Sequence, residues 1–264
     1  MNQILITERL YVTPELKKKK KFYRIEFFIS VFLVCILFSY YIYAEYDKAK
    51  GEDYAQEILA NTSIEKIEQD DKTIKDDSLV VILNNEDIEE EEEPENTAIT
   101  YEEKVTKAGT KYTEVASINI PKINLQYSVL AVLEPASSYG SDPIKAEEKA
   151  LDELLKISPC RFHGADLDEG IFDANKVGNF CIVGHNYRNA RFFSKVPDLV
   201  NGDIIELTDA TGITLKYVVY DKYVVDPEDV SCTSQHTNGK KEVTLITCTD
   251  DSKQRYVIKA TEVL

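Results

Sequence analysis

The stretch VTLITCTDDSKQR, residues 243–255, predicts two β-strands joined by a short turn. Its first half is rich in β-branched and other apolar residues and ends at Cys248, while Arg255 opens a second such run, RYVIKA. The polar residues between them are typical of a turn, because Asp and Ser side chains bond readily to nearby backbone groups. We therefore expect two adjacent antiparallel strands that bring Cys248 close to Arg255.

Comparable strand-like segments occur from about residue 112 to the end of the sequence. They are EVASINI, LQYSVLAVL, NFCIVGH, GDIIELT and ITLKYVVYDKYVV. The group TDATG predicts a hairpin turn between Ile205 and Lys216. Two helices are predicted, a short one near ARFFSKVPDLV and an amphipathic one in IKAEEKALDELLKI. The apolar face of the amphipathic helix comprises Ala146, Ala150, Leu154 and Ile157. Several short strands with two small helices in roughly 150 residues favour a mostly β barrel or sandwich over alternating β-α units.

An uncharged apolar run, Phe27–Ala44, predicts a membrane anchor. Its eighteen residues approach the roughly 20 that a membrane-spanning helix needs. Basic residues precede the run and acidic residues follow it, so the positive-inside rule predicts a cytoplasmic N-terminus. A cleaved signal peptide is the alternative, but its apolar region is shorter, about 7–15 residues, and ends in a small-residue cleavage site. We therefore assign residues 1–24 to a basic cytoplasmic tail and 25–45 to an uncleaved transmembrane anchor.

Residues 46–111 are predicted to form an acidic, largely flexible stalk outside the membrane, followed by a catalytic domain at 112–264. The run EDIEEEEEPE, residues 86–95, carries like charges that repel one another and favour a solvated spacer. Calcium binding or partner docking is the alternative function for this run. Two short pieces of the stalk have ordered patterns: YAQEILANTSIEKIEQ, residues 54–69, has weak helical periodicity, and SLVVIL, residues 78–83, is strand-like.

The charge and the cysteine pattern exclude several classes of protein. The net charge of −16 argues against a nucleic-acid partner, because a polyanion would be repelled. Of five cysteines, Cys35 lies in the apolar run, and the other four form no CxxC pair. The three histidines lack clustered carboxylates. We therefore predict neither a disulfide framework nor a metal or other cofactor.

Cys248 becomes a candidate nucleophile if a neighbouring base or cation favours its thiolate. His185 ends the apolar run GNFCIVGH, in which Gly184 permits a close approach of the backbone. It is the strongest histidine candidate, because His163 and His236 lie in polar surroundings. An arginine beside the cysteine can donate to a developing oxyanion or hold the thiolate. Residue types alone leave the alternatives open: Cys248 as a core residue, His185 as a structural one, and Arg255 in a surface pair with an aspartate of the turn.

Together these motifs resemble the sortase family, membrane-anchored cysteine transpeptidases of Gram-positive bacteria. The resemblance rests on TLITC, on the arginine of the next strand and on GH closing an earlier strand. It extends to ASINIPKINL and FFSKVPDLVNGDIIEL, and so covers about residues 115–264 and the anchor. It implies a closed β-barrel of about eight strands with two or three short helices, preceded by one transmembrane helix and a stalk. The expected location is the cell membrane, with an extracytoplasmic catalytic domain.

The resemblance also implies roles for individual residues. Cys248 would attack the carbonyl after the threonine of an LPXTG-like sorting signal and form a thioester acyl-enzyme. His185 would act as general acid and then as general base, and Arg255 would stabilise the oxyanion. Thr247 would line the substrate groove, and the loop at residues 225–239, with Cys232 and His236, would shape the choice of signal without a catalytic role. The implied partners are surface proteins with a C-terminal sorting signal and an amine of a lipid II-like cell-wall precursor or a pilin lysine.

Three other functions are compatible with these residues. A pilin-polymerising sortase is one, although no proline-rich lid is evident. A membrane-tethered cysteine endopeptidase would use the same residues but release the free acid, and a catalytically silent sortase-like module would only bind peptides. Some sortases bind calcium before the histidine strand, but here a solvated acidic loop is favoured for GADLDEGIFD over a metal site. The carboxylates of that loop are Asp166, Asp168, Glu169 and Asp173.

Overall fold

The chain divides into two units, Met1–Lys50 and Gly51–Leu264. The computed structural model describes residues 14–61, 102–163 and 174–263. The acidic run, the segment at residues 78–83 and the loop GADLDEGIFD lie outside the described residues, so the predictions made for them are not addressed. The assigned boundaries of tail, anchor, stalk and catalytic domain stay a prediction.

The N-terminal helix α1, Pro14–Ala60, contains the predicted anchor and continues beyond residue 45. The large apolar side chains of its first part, such as Phe28, Phe32 and Leu37, are exposed. By length and composition this helix could cross a membrane. An apolar surface of this extent is typical of a segment that meets lipid.

The unit Gly51–Leu264 is built on a closed sheet. Its strands are β1 Lys104–Val105, β2 Lys111–Ile120, β3 Leu125–Glu134, β4 Cys160–His163, β5 Gly178–Val183, β6 Ile204–Asp209, β7 Thr214–Val225, β8 Lys241–Cys248 and β9 Arg255–Glu262. Strands β2 to β9 follow the order β2-β3-β4-β5-β8-β9-β7-β6, and β6 pairs again with β2. The predicted closed barrel of about eight strands is therefore confirmed. The pairs β3–β4 and β5–β8 are parallel and the others antiparallel.

Strand β8 is buried on both faces from Val243 to Thr247, which explains why apolar residues and threonines follow one another there without an exposed polar face. Val243 and Leu245 belong to the main barrel core. Ile246 points to a second cluster, where it packs with Val257 and with Cys232 of the β7–β8 loop. Alternate residues of a strand face opposite sides of its sheet, so a strand covered on both sides loses the alternating pattern.

Both helices predicted between the strands are present. Helix α2, Pro143–Leu155, begins after the N-cap Asp142. The predicted apolar face is buried at Ala146, Ala150 and Leu154, and Ile157 packs partly buried against the same cluster. The short helix predicted after His185 is a 3-10 helix, Phe193–Asp198. Further 3-10 helices lie at Pro121–Ile123, Ser137–Tyr139 and Ser231–Thr233.

The hairpin predicted around TDATG is confirmed by the pairing of β6 with β7. The Asp209 carboxylate accepts hydrogen bonds from the backbone N–H groups of Thr211 (2.9 Å) and Ile213 (3.1 Å). Gly212 has a φ of 86°, which a side chain would disfavour. The aspartate and the glycine thus each supply what the turn requires.

Candidate active site

The ends of β5 and β8 bring His185 and Cys248 to the same edge of the barrel. These strands run parallel, with Val183 opposite Ile246. Beyond that pair, the Gly184 N–H donates to the Ile246 carbonyl at 3.1 Å, and the Thr247 hydroxyl donates to the Gly184 carbonyl at 2.8 Å. Because parallel strands in register end side by side, the residue after Gly184 and the last residue of β8 lie at the same edge. Those residues are the predicted histidine and the predicted cysteine.

Arg255 reaches this edge from the third strand. The β8–β9 register places Cys248 opposite Arg255, which confirms the expected strand-turn-strand arrangement. In the turn, the Thr249 N–H donates to the Gln254 carbonyl at 2.9 Å and the Ser252 N–H to the Thr249 carbonyl at 2.8 Å. The sheet order β5-β8-β9 therefore puts Cys248 between the strands that end at His185 and begin at Arg255.

Cys248 differs from the other cysteines of the barrel in its access to water. Cys160, Cys181 and Cys232 are buried, whereas Cys248 is partly exposed at the strand end. Burial raises the pKa of the thiols of Cys160, Cys181 and Cys232 above the usual value, because a thiolate is poorly solvated in the interior. A thiolate nucleophile needs both ionisation and contact with a substrate. Cys248 is the cysteine of the barrel best placed for that chemistry.

His185 is partly buried against aromatic side chains. Its ring centroid lies 5.1 Å from that of Tyr187. Burial lowers the pKa of His185 below 6.5, opposed by the charge of Asp152 and reinforced by that of Lys156. At neutral pH the imidazole is therefore mainly uncharged and can accept a proton.

The aspartates of the β8–β9 turn have partners other than Arg255. Asp250 accepts a hydrogen bond from the Asn186 side chain at 3.1 Å. Asp251 accepts from the Thr249 hydroxyl at 2.6 Å and from the Lys253 N–H at 3.1 Å. The Arg255 guanidinium donates to the Gln254 carbonyl at 3.1 Å and makes no salt bridge to any residue that the structure describes. The alternative of an aspartate–arginine surface pair is therefore not what the structure shows.

Asn186 connects the segment that carries His185 to the end of β8 that carries Cys248, and no pattern in the sequence singled it out. Its amide nitrogen donates to the Cys248 carbonyl at 3.0 Å, and its amide oxygen accepts from the Arg188 N–H at 2.9 Å. The Arg188 guanidinium in turn donates to the Ser252 hydroxyl at 2.8 Å. An asparagine after a strand is typical of a turn, but no spacing indicates a bond to a backbone group 62 residues away.

Gly184 allows the close approach that the sequence suggested. A Cβ atom at this position would lie 2.6 Å from the Phe193 ring, well inside van der Waals contact. Phe193 is fully buried and its N–H donates to the His185 carbonyl at 3.0 Å. The absence of a side chain at Gly184 therefore lets the loop after His185 fold back onto the strand end.

The other residues considered in the sequence analysis do not lie with His185, Cys248 and Arg255 as reactive groups. Thr247 is 1% exposed and its hydroxyl is engaged with Gly184, so its observed contacts hold the two strand ends together, and its role in substrate binding stays a prediction. His163 ends β4 opposite Cys181, away from the end of β5 that leads to His185. Cys232 is buried and His236 exposed in the β7–β8 loop. Across residues 14–61, 102–163 and 174–263, no three metal-ligating side chains group together.

A barrel with a thiol, an imidazole and a guanidinium at three neighbouring strand ends is the arrangement that the TLITC resemblance implied. The family model of the sortase domain matches residues 118–263, more than half of the chain. The chain therefore belongs to the sortase family.

Several solved sortase structures are similar to this chain. The sortase D5 transpeptidase of Clostridium perfringens is 26% identical, with 57% of this chain and 79% of that chain covered and a TM-score of 0.43. A lid mutant of sortase A from Corynebacterium diphtheriae is 26% identical (58% and 72% covered, TM-score 0.44). Sortase C-1 of Actinomyces oris is 23% identical (57% and 75% covered, TM-score 0.44). No curated protein sequence matches the chain.

Proposed function

We propose that this protein is a membrane-anchored transpeptidase that cleaves an LPXTG-like sorting signal after its threonine and transfers the acyl group to an amine of a cell-wall precursor. The observation that carries the proposal is the common edge of β5, β8 and β9: His185 lies just beyond the end of β5, Cys248 ends β8, and Arg255 lies opposite it at the start of β9. Membership of the sortase family supports the same reaction class. The apolar part of α1 is the anchor, and the basic residues before it keep the N-terminus in the cytoplasm.

In the first half of the reaction, the Cys248 thiolate forms a bond to the threonine carbonyl carbon. The electron pair of the carbonyl moves to its oxygen, and the Arg255 guanidinium donates hydrogen bonds to that oxyanion. The oxyanion then collapses, the carbon–nitrogen bond to the next residue breaks, and the His185 imidazolium gives its proton to the leaving amine. The products are a thioester on Cys248, a neutral imidazole and the released C-terminal fragment.

In the second half, the incoming amine attacks the thioester carbon while neutral His185 takes a proton from it. The carbon–sulfur bond breaks, an amide forms, and the thiolate and the imidazolium are regenerated. Because burial lowers the pKa of His185, the imidazolium is a minority form in the free enzyme at neutral pH. The thiolate–imidazolium pair that starts the cycle is therefore a small fraction of the enzyme.

The proposal is tested by measuring whether the acyl-enzyme reacts with an amine or with water. The full chain in detergent micelles is incubated with a library of fluorescent sorting-signal peptides, with and without a glycine-terminated peptide as the amine. We expect an amide product to dominate over the free acid when the amine is present, with the peptide cut after threonine. Mass spectrometry of the products provides the measurement.

Each other outcome points to a different function. Free acid alone with amine in excess would contradict transpeptidation and favour the endopeptidase. Acyl transfer to a lysine-bearing pilin peptide in preference to the glycine-terminated amine would favour a pilin polymerase. No cleavage of any peptide would favour the silent binding module.

A further inference from the structure

The last helical turns of α1, residues 51–60, pack against the barrel although the sequence assigned them to the stalk. Ala55 is fully buried in the main core, and Ile58 is 5% exposed beside Leu130. At Gly51 a Cβ atom would clash with the Lys156 carbonyl oxygen, so the helix approaches this part of the folded unit without room for a side chain. These contacts make residues 51–60 part of the folded unit that contains the candidate active site.

Tyr127 of β3 joins this helical segment to the loop that follows His185. Its hydroxyl lies 2.7 and 2.8 Å from the two carboxylate oxygens of Glu52, to which it donates. The same hydroxyl accepts a hydrogen bond from the Phe192 N–H at 2.9 Å. Burial, followed by the bond to Glu52, raises the pKa of Tyr127, so the phenol keeps its proton. A phenol that donates to a carboxylate forms a charge-assisted bond, which is stronger than a neutral one.

Phe192 closes the loop that begins at His185. It forms an isolated β-bridge with Asn186, and its backbone has a φ of 48°, which a residue with a side chain seldom adopts. Its ring stacks on Tyr127 with centroids 5.3 Å apart and meets the Tyr187 ring edge to face at 5.4 Å. Tyr187 in turn packs against the His185 ring. Unfavourable backbone conformations persist only where the surroundings hold them, and here Tyr127 holds both the N–H and the ring of Phe192.

We propose that Glu52 is a positioning residue for the reaction, and that it fixes, through Tyr127 and Phe192, the loop that presents His185 to Cys248. The proposal rests on the proposed function, since it assigns Glu52 to the same site. Under this proposal, residues 51–60 of α1 contribute to catalysis indirectly, because they supply the carboxylate that orients the hydroxyl of Tyr127. Gln56, one turn later, donates to Glu52 at 3.2 Å and keeps that carboxylate in place.

Two variants remove this connection in different ways. Glu52→Ala removes the carboxylate, and Tyr127→Phe removes the hydroxyl while keeping the ring that stacks on Phe192. The matched control is Glu57→Ala, an exposed carboxylate of the same helical segment. Glu52→Gln is the conservative variant, because its amide oxygen can still accept the hydrogen bond of Tyr127. All are compared as full chains in detergent micelles.

We expect Glu52→Ala and Tyr127→Phe each to lower kcat for peptide cleavage on the order of 10-fold with little change in KM, because a displaced general acid slows the chemical step. Their effects are expected to be non-additive in the double variant, since both break one chain of contacts. Glu52→Gln restores most of the activity, and Glu57→Ala behaves like the unaltered protein.

A second readout needs no peptide substrate. NMR of the ¹⁵N-labelled histidines, assigned with a His185→Gln variant, follows the titration of His185. A loosened loop admits water, so the pKa of His185 should rise toward 6.5 in both variants and stay unchanged in Glu57→Ala. The charged groups that act on this ring, Asp152 and Lys156 of the neighbouring α2 region, are the same in all variants.

Failure of this inference is distinct from failure of the proposed function. If the unaltered chain cleaves no peptide, the proposed function fails while the His185 titration still decides the role of Glu52. A lower melting temperature for Glu52→Ala and Tyr127→Phe, with kcat and the His185 titration unchanged, would overturn the positioning role and leave Glu52 a structural residue. An additive double variant would equally contradict the shared path through Tyr127.

Discussion

The variant Cys248→Ala is expected to lose peptide cleavage by roughly 10⁴-fold or more, because no other group of the site can form the thioester. The same change is expected to leave the melting temperature almost unaltered. Cys248 is partly exposed at a strand end, so removing its sulfur creates no sealed cavity. Peptide-cleavage rates and thermal unfolding of the full chain provide the two measurements.

The matched control for this variant is Cys232→Ala. Cys232 is buried against Ile246 and Val257, so its truncation should cost stability and keep activity. A Cys248→Ala protein that still cleaves peptide would exclude the nucleophile assignment. A Cys248→Ala protein destabilised like a core deletion, by about 2 kcal/mol or more, would support the alternative that this cysteine is a packing residue.

The second large effect is expected for His185→Gln, with a loss of about 10²–10⁴ in kcat, because the leaving amine then departs without a proton donor. Gln keeps a polar side chain of similar reach but cannot exchange a proton at neutral pH. His236→Gln, at an exposed position of the β7–β8 loop, is the control and should keep kcat, because this loop is expected to act on the choice of signal and not on proton transfer. A His185→Gln protein with unchanged kcat would contradict the acid–base role.

The lowered pKa of His185 also predicts how the free energy of unfolding changes with pH. Its pKa is lowered in the folded protein, so the unfolded chain binds the proton first as the pH falls through 6.5. The stability contributed by the neutral imidazole is therefore present above pH 6.5 and is lost below it. Between pH 7 and pH 5 the unaltered protein should lose more free energy of unfolding than His185→Gln. An equal loss in both proteins would contradict the burial of a neutral histidine at this site.

The sequence was most informative where the residues that contact one another are close in the chain, or where a periodic pattern marks the buried face. The turn between Cys248 and Arg255 is short, so the two strands must lie side by side and antiparallel, and their register follows from the turn. The same holds for the hairpin at Asp209, and for α2, where the spacing of Ala146, Ala150 and Leu154 marks the buried face. Gly184 indicated a close approach, but only the structure identifies the Phe193 ring as the neighbour.

The sequence was least informative where a contact joins distant segments. Glu52 lies 75 residues from Tyr127, and Asn186 lies 62 residues from Cys248, so no periodicity relates either pair. The spacing of Ala55 and Ile58 is helical, yet such a short apolar pattern does not reveal which surface covers it. The connection from α1 to the His185 loop therefore depends on tertiary packing that a single sequence does not encode locally.

The central claim, a thioester formed by Cys248 with the acyl group of a sorting signal, is tested most directly by the intact mass of the full chain. The protein is mixed with an intact sorting-signal peptide that it has been shown to cleave. The reaction is quenched in acid within the first turnovers, and the protein is digested to locate the modification. The account predicts a mass increase equal to the peptide acid ending at threonine less one water, located on Cys248 and released by neutral hydroxylamine as a hydroxamate. Cleavage without any such adduct, or an adduct on another residue, would contradict it.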